Sequence, residues 1–292
     1  VCLLRFRCLV ACRQYTVLRD EGIAAFAGTS EPIPLEVRVM LAQLPYLLSP
    51  SDVLTTLWKL HTLAEEVCKE LQLDPDIMNN PTASNSTSLG EYLHLLQALS
   101  HVALAAGHAD VAAKVIAELV PRFSTGTDRL HCLLGRHYLA AGEVALASQE
   151  FSLARGCLPP GSALAQLDQG LLAVAENRYG SAKSHFASAV AAISTENVST
   201  LTPQDIDSLV TGHNNLAVCR LYCQELVLGV EGLEDFVRKD PNLFMKPCVV
   251  RTLSSLYEFL PDAVGKRQAL QEVALAHHIE DIDHKAFAAP NA

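Results

Sequence analysis

A series of small and bulky residues recurs along this chain at an interval of 35 residues. A repeat of 20 to 50 residues is typical of chains built from one supersecondary unit copied many times, so this interval constrains the fold more than any other feature. The clearest copy, at 128–160, contains Leu134, Gly135, Tyr138, Ala147, Phe151, Ala154 and Pro159. The next copy, at 163–193, has Gly170, Ala182, Phe186 and Ala189 in the same register. A weaker copy at 93–125 has Ser100, Ala112, Ile116 and Leu119.

These offsets are those of the tetratricopeptide pattern, with Leu-Gly-x-x-Tyr on a first helix, Ala-x-x-x-Phe on a second and proline after it. The small residues let the two helices of a pair approach closely, and we expect Phe151 and Phe186 to fill the space between one pair and the next. Because one pair cannot bury its apolar face alone, pairs stack. The sequence therefore predicts an all-α fold, a tetratricopeptide-repeat α-solenoid of stacked antiparallel helix pairs. The alternative is a plain helical bundle, which three copies in register disfavour.

A fourth copy begins near Val210 and contains Ala217, Gly229, Leu233 and Pro241. The extra spacing before it predicts a polar insert, after which Thr202 is the expected N-cap and Pro203 the first helical residue. We expect a single solenoid over 1–292. Its predicted parts are irregular helical hairpins at 1–72, a polar loop at 73–90, three repeats at 91–193, the insert at 194–205, and the fourth repeat with C-terminal helices at 206–292.

Composition agrees with a folded helical chain that is not a nucleic-acid binder. Half of the residues are hydrophobic and only 6% are aromatic, which predicts an aliphatic core. The net charge is −10 and no Lys/Arg run is present, which disfavours binding to nucleic acid or to an anionic membrane surface. The first residue is Val and no secretory-signal layout follows, so we expect a piece of a longer protein.

The sequence offers few residues that could carry chemistry. Cys219 and Cys223 lie four residues apart, but only Cys248 could join them as a metal ligand, so buried thiols are the better interpretation. The histidines and aspartates at 277, 278, 281, 283 and 284 match no metal motif and predict a solvated helix end. The nine cysteines predict reduced, buried thiols of a cytosolic protein. Trp58 is predicted to be a core residue, with an interface anchor as the alternative. The acidic pairs 65–66 and 234–235 are predicted to lie on solvated faces.

No phosphate-binding loop or nucleophile elbow is present. We therefore expect no catalytic residue, no cofactor, no metal and no small-molecule ligand, and the sequence does not single out any partner-binding residue.

Several segments resemble a known family, the C-terminal tetratricopeptide region of subunit 12 of the transport protein particle, TRAPP. The segments are Leu3–Arg7, Ile33–Val39, Asn214–Cys219, Asp240-Pro241, Leu253–Glu258 and Lys266–Leu270. The stretch Asn-Asn-Leu-Ala-Val-Cys at 214–219 is the most specific of them.

This resemblance implies a structural subunit of TRAPP III, a guanine-nucleotide exchange complex for a Rab GTPase in ER-to-Golgi vesicle transport. The expected partners are the other large subunits, through them the small core subunits, and indirectly the Rab GTPase. The expected location is the cytoplasm, peripheral on ER–Golgi intermediate and Golgi membranes. The alternative function is a free tetratricopeptide adaptor that binds peptides of client or chaperone proteins. Such an adaptor needs a basic clamp, and the chain offers Arg129 and Arg136 in one repeat but no basic residue in the helix at 163–176.

Overall fold

The structure is a computed structural model that describes residues 2–26, 33–72, 83–117, 120, 127–159, 161–193, 200–279, 282 and 284–287. Within these ranges the chain forms fifteen α-helices and no strand. It divides into two compact units, Val1–Glu143 and Val144–Ala292. In each unit helices adjacent in sequence pack against one another. The predicted fold class, all-α with tetratricopeptide-type antiparallel helix pairs, is confirmed.

The first unit has seven helices, and the first four form two hairpins. The helices are α1 Cys2–Ala11, α2 Tyr15–Phe26, α3 Leu35–Leu48, α4 Val53–Gln72, α5 Ala83–Ala105, α6 Ala109–Ala117 and α7 Thr127–Ala140. Three apolar clusters hold them together, centred on Phe6 and Leu18, on Leu60 and Leu95, and on Ile116 with Leu130 and Leu134.

The second unit has eight helices, including one of a single turn. They are α8 Val144–Cys157, α9 Ala163–Ala175, α10 Tyr179–Ala191, α11 Pro203–Tyr222, α12 Leu226–Lys239, α13 Pro241–Phe244, α14 Pro247–Tyr257 and α15 Ala263–Ala276. Helix α11 starts as predicted, because Thr202 and Asp205 form a reciprocal capping box and Pro203 is the first helical residue. The part of the insert at 194–199 lies outside the described residues.

One turn geometry recurs at the ends of six helices. Each time, a residue in the left-handed region is followed by one whose N–H donates to the carbonyl five residues earlier, as in a Schellman motif. The left-handed residues are Arg13, Gly107, Gly142, Asn177, Gln224 and His278. The Ala-Ala-Gly turns at 105–107 and 140–142 are two of them. Asn177 follows Gly142 by another 35 residues, so the turn keeps the period of the repeats even where glycine is replaced.

At Gly170 of α9 an aromatic ring of α10 packs directly against the helix. A methyl group built there would lie 2.5 Å from Cε1 of Phe186, whose ring is fully buried. The ring therefore occupies the space that a side chain at 170 would need. Leu216 of α11 belongs to the same cluster, so Phe186 packs within its own pair as well as toward the next one.

In the described part of the chain, several interpretations made from the sequence are wrong. Trp58 is 69% exposed, because the buried stripe of α4 runs through Leu60, Leu63 and Val67 on another face. Of the described cysteines only two are buried, Cys132 and Cys219, and four are exposed, Cys8, Cys12, Cys157 and Cys248. Of the predicted polar loop at 73–90, residues 73–82 lie outside the described residues, and residues 83–90 are helical. They form the first turns of α5, whose later turns are anchored in the core by Leu95 and Leu96.

We predict that Gly170→Ala lowers the free energy of unfolding of the chain by about 1–3 kcal/mol, because its methyl group collides with a ring that cannot move. Chemical denaturation followed by circular dichroism measures this. Gly180→Ala is the matched control, since position 180 opens on empty space, and helix propensity should make it neutral to stabilising, by up to about 1 kcal/mol. Equal effects of the two substitutions would contradict the packing described here.

Candidate protein-binding surface

A groove of 380 Å³ lies on the second unit between helices α12 and α15, with α14 at its base. Its apolar lining consists of Val237, Pro241, Leu253, Ala269, Leu270 and Val273, and its polar lining of Glu234, Arg238, Tyr257, Lys266 and His277. The base is firm, because Leu253 and Tyr257 of α14 are buried. The groove is therefore an apolar trough with polar groups along its rim.

Local sequence explains how the helices around the groove begin. The Asp240 side chain accepts a hydrogen bond from the Leu243 N–H at 3.2 Å and so caps α13, the single turn inserted between α12 and α14. The Asp262 side chain accepts from the Gly265 N–H at 3.1 Å and caps α15. These caps define where the chain leaves one wall of the groove and enters the other.

Glu234 is the centre of a polar network at the rim. Its carboxylate accepts hydrogen bonds from Tyr257 Oη at 3.0 Å, from Lys266 Nζ at 3.1 Å and from Arg238 Nη2 at 2.9 Å. The side chain of Glu234 is only 16% exposed, so its prediction as a solvated residue is wrong. Burial, with the nearby Glu234 charge, raises the pKa of Tyr257 well above its usual range, so the phenol remains a donor.

The two cations of this network stay accessible. Arg238 is 67% exposed and also binds Asp235 at 2.7 Å, and Lys266 is 38% exposed and lies 5.3 Å from the centre of the Tyr257 ring. Because the Glu234 carboxylate already accepts from three donors and is mostly covered, the charge that the groove presents to solvent comes from Arg238 and Lys266.

A second candidate surface lies on the first unit. Leu54 and Trp58, four residues apart on α4, are 68% and 69% exposed. Residues at this spacing share one helix face. Tryptophan is among the residues most enriched where proteins bind one another. We call this pair the Trp58 ridge.

The residues of the repeat signature lie mostly in the core. Those that are buried are Leu134, Gly135, Ala147, Phe151, Ala154, Gly170, Ala182, Phe186, Ala189, Ala217, Gly229 and Leu233. Tyr138 and Pro241 are half-buried and Pro159 is exposed. The signature therefore marks packing, and only Pro241 also lines the groove. The sequence does contain one pair of groove residues at i, i+4 spacing, Glu234 and Arg238. In the sequence, this pair cannot be distinguished from an ordinary surface ion pair.

The candidate metal ligands are not brought together in the described part of the chain. Cys219 is buried while Cys248 is exposed, and no group of three or more His, Cys, Asp or Glu side chains placed to hold a metal occurs among the described residues. Burial raises the pKa of the Cys219 thiol to about 11. Asp281 and Asp283 lie outside the described residues. Among the helices described here, none is long and apolar enough to cross a bilayer.

Two histidines are held uncharged by their surroundings. His137 on α7 is 2% exposed, and burial, with the charges of His101 and Arg136, lowers its pKa to about 4. His213 on α11 stacks on Phe236 with ring centres 4.0 Å apart, and burial again lowers its pKa to about 4. Both imidazoles must gain a proton or leave the core when the pH falls.

Comparison with known proteins gives little beyond this geometry. No protein-family model matches the chain, and no curated protein matches it. One solved structure, "Crystal structure of APC/C hetero-tetramer Cut9-Hcn1", is similar with a TM-score of 0.46 and 14% sequence identity. The alignment covers 99% of this chain and 53% of that one, so this chain spans about half the length of its neighbour. The fold itself defines the class: helical repeats of the kind that present surfaces to protein partners.

We predict that Glu234→Ala lowers the free energy of unfolding by about 2 kcal/mol, because Tyr257 and Lys266 lose a mostly buried acceptor. Asp235→Ala is the neighbouring control: its carboxylate is 68% exposed, and its removal should cost less than about 0.5 kcal/mol. Urea denaturation of both variants measures the difference. If Glu234→Ala leaves the free energy of unfolding unchanged, the network does not stabilise the groove.

We predict that stability falls as the pH drops from 6.5 toward 4. The folded pKa values of His137 and His213 lie below the unfolded value of 6.5, so the unfolded chain binds protons first. Each histidine contributes a slope of roughly 1.4 kcal/mol per pH unit within this window. Urea midpoints measured across the window should decline less steeply in His213→Phe, which keeps a ring on Phe236. His61→Gln, at an exposed position, should retain the full decline. A slope unchanged in His213→Phe would contradict the assignment.

Proposed function

We propose that the chain is a non-catalytic scaffold subunit of TRAPP III, the tethering and Rab guanine-nucleotide-exchange complex of ER-to-Golgi transport. It joins other large subunits through its helical-repeat surface. One observation carries the proposal: two of the segments that resemble TRAPP subunit 12, Leu253–Glu258 and Lys266–Leu270, supply much of the groove. They contribute Leu253, Tyr257, Lys266, Ala269 and Leu270 to its lining.

The most specific segment of the resemblance has a different place. Within Asn214–Cys219, the side chains of Leu216, Ala217 and Cys219 are buried between helices of the second unit. The carbonyl oxygen of Ala217 lies 3.1 Å from a methyl group built on Gly229, so α11 and α12 are in close contact there. This segment therefore has a packing role in the second unit, whereas the groove is a surface that partners can reach.

Two separate surfaces suit a subunit that joins partners. The Trp58 ridge lies on the first unit and the groove on the second, so each unit offers one site. The proposed partners are the other large TRAPP III subunits and, through them, the small core and a Rab GTPase. The proposed location is the cytoplasmic side of early secretory membranes.

We predict that the tagged chain, purified from its own cells, brings down TRAPP core and large TRAPP III subunits in near-equal amounts by mass spectrometry. Trp58→Ser should reduce recovery of at least one subunit by about fivefold, because it removes an exposed aromatic anchor. Lys59→Ala, at the exposed neighbouring position, is the matched control and should recover all of them.

A second bait distinguishes partner loss caused by misfolding from partner loss caused by removal of a binding residue. Cys219→Arg places a charge in the core of the second unit and should lose partners through misfolding, which circular dichroism would show. Recovery of chaperones or peptide-bearing clients by the wild type, with no TRAPP subunit, would reject the proposal and favour a free adaptor.

A further inference from the structure

The groove has two walls with regular helical spacing. One wall is lined by residues 234, 237 and 238 of α12 and by Pro241, the first residue of α13. The other wall is lined by residues 266, 269, 270 and 273 of α15 and by its C-cap residue His277. The α12 set has the i, i+3, i+4 spacing of one helix face, and the α15 set has the i, i+3, i+4, i+7 spacing. At 1.5 Å per residue, these helical parts of the walls are about 6 Å and about 10 Å long. Two such ridges with an apolar base form a seat for one face of another helix.

The size of the groove limits what can enter it. A volume of 380 Å³ is near the lower end of the range for binding pockets, roughly 300–1,000 Å³. It accommodates a short row of aliphatic side chains and not a folded domain. An amphipathic helix of about three turns presents such a row at positions i, i+4 and i+7, which is how helices bind in apolar grooves.

The charge at the rim selects among such helices. Arg238 stands on one wall and Lys266 on the other, and both donate to the same carboxylate of Glu234 while remaining accessible to solvent. Asp235 pairs with Arg238 but is not among the residues that line the groove. A carboxylate on the occupant would therefore meet two cations, whereas a basic side chain would meet them with like charge.

We propose that this groove binds an acidic amphipathic helix of a partner protein, with aliphatic residues against Val237, Leu253 and Leu270 and a carboxylate that accepts from the solvent-accessible donors of Arg238 and Lys266. The inference deepens the proposed function and depends on it only in taking the occupant to be a protein segment. It specifies the chemistry of that segment, which is acidic and amphipathic.

The test is selection from a display library of helical peptides of about 14 residues, long enough to span the longer wall. Leucine is fixed at i, i+4 and i+7, and the position facing the cations is varied among Glu, Gln and Lys. Selection uses the whole chain as bait. Peptides with Glu should be enriched, and the affinity of the best one is then measured by fluorescence anisotropy.

Variants of exposed residues give the controls. Ala269→Trp fills the groove from an exposed position of α15 and should weaken the selected peptide by at least about tenfold, while Gln268→Trp, one residue away and outside the lining, should leave its affinity unchanged. Arg238→Gln should weaken the Glu peptide about tenfold and its Gln analogue little. Circular dichroism of each variant checks that the fold is kept.

Three outcomes would overturn the inference: no enriched peptide, enrichment of Lys or Gln over Glu, or equal binding by the Ala269→Trp chain. A groove occupied by a second copy would also overturn it, and would appear as self-association in sedimentation that Ala269→Trp abolishes. Co-purification of TRAPP subunits is independent of these results, so the groove inference can fail while the proposed function stands. Conversely, if the groove binds the acidic peptide but no TRAPP subunit co-purifies with the chain, the groove inference stands and the proposed function is rejected.

Discussion

Gly170 and Phe186 share a space that has no room for one more methyl group, and the second unit depends on contacts of this kind. The same closeness recurs at Gly212, where an added methyl would lie 2.8 Å from Val190 Cγ2, and at Gly229, where it would lie 3.1 Å from the Ala217 carbonyl oxygen. Each contact joins a helix to the one packed beside it. A pair of helices buries too little apolar surface by itself, so the stability of each pair depends on its neighbour's fit.

The groove follows from how this packing continues toward the C-terminus. The single turn α13 comes between α12 and α14, and α14 then places Leu253 and Tyr257 beneath the two walls. Glu234 is covered by this arrangement and accepts hydrogen bonds from both walls and from the base. A carboxylate so placed is stabilised by its donors, and its donors are in turn fixed in position. The polar network therefore stabilises the unit and also sets the charge that a partner meets.

Much of the fold could be predicted from residue spacing, while little of the candidate site could. The 35-residue interval is sufficient to predict the helix pairs, because small residues and aromatic rings at fixed positions are compatible with one close packing of the helices. The recurring left-handed turn was visible at Gly107 and Gly142, but not at Asn177, Gln224 or His278, where other residues adopt the same backbone conformation. The site gave no such signal, because Glu234 and Arg238 have the spacing of any surface ion pair.

The sequence by itself determined the all-α class, the register of the repeats, the start of α11 at Thr202 and the core positions of the repeat signature. These features depend on residue spacing and on helix capping, and both can be read directly from the sequence. Only the tertiary structure decided that Trp58 is exposed, that Glu234 is covered and that residues from four helices form one groove. The physical reason is that burial is a property of neighbours. A helix shows in its own sequence which residues share a face, but the packing of other helices decides which of its faces meets water.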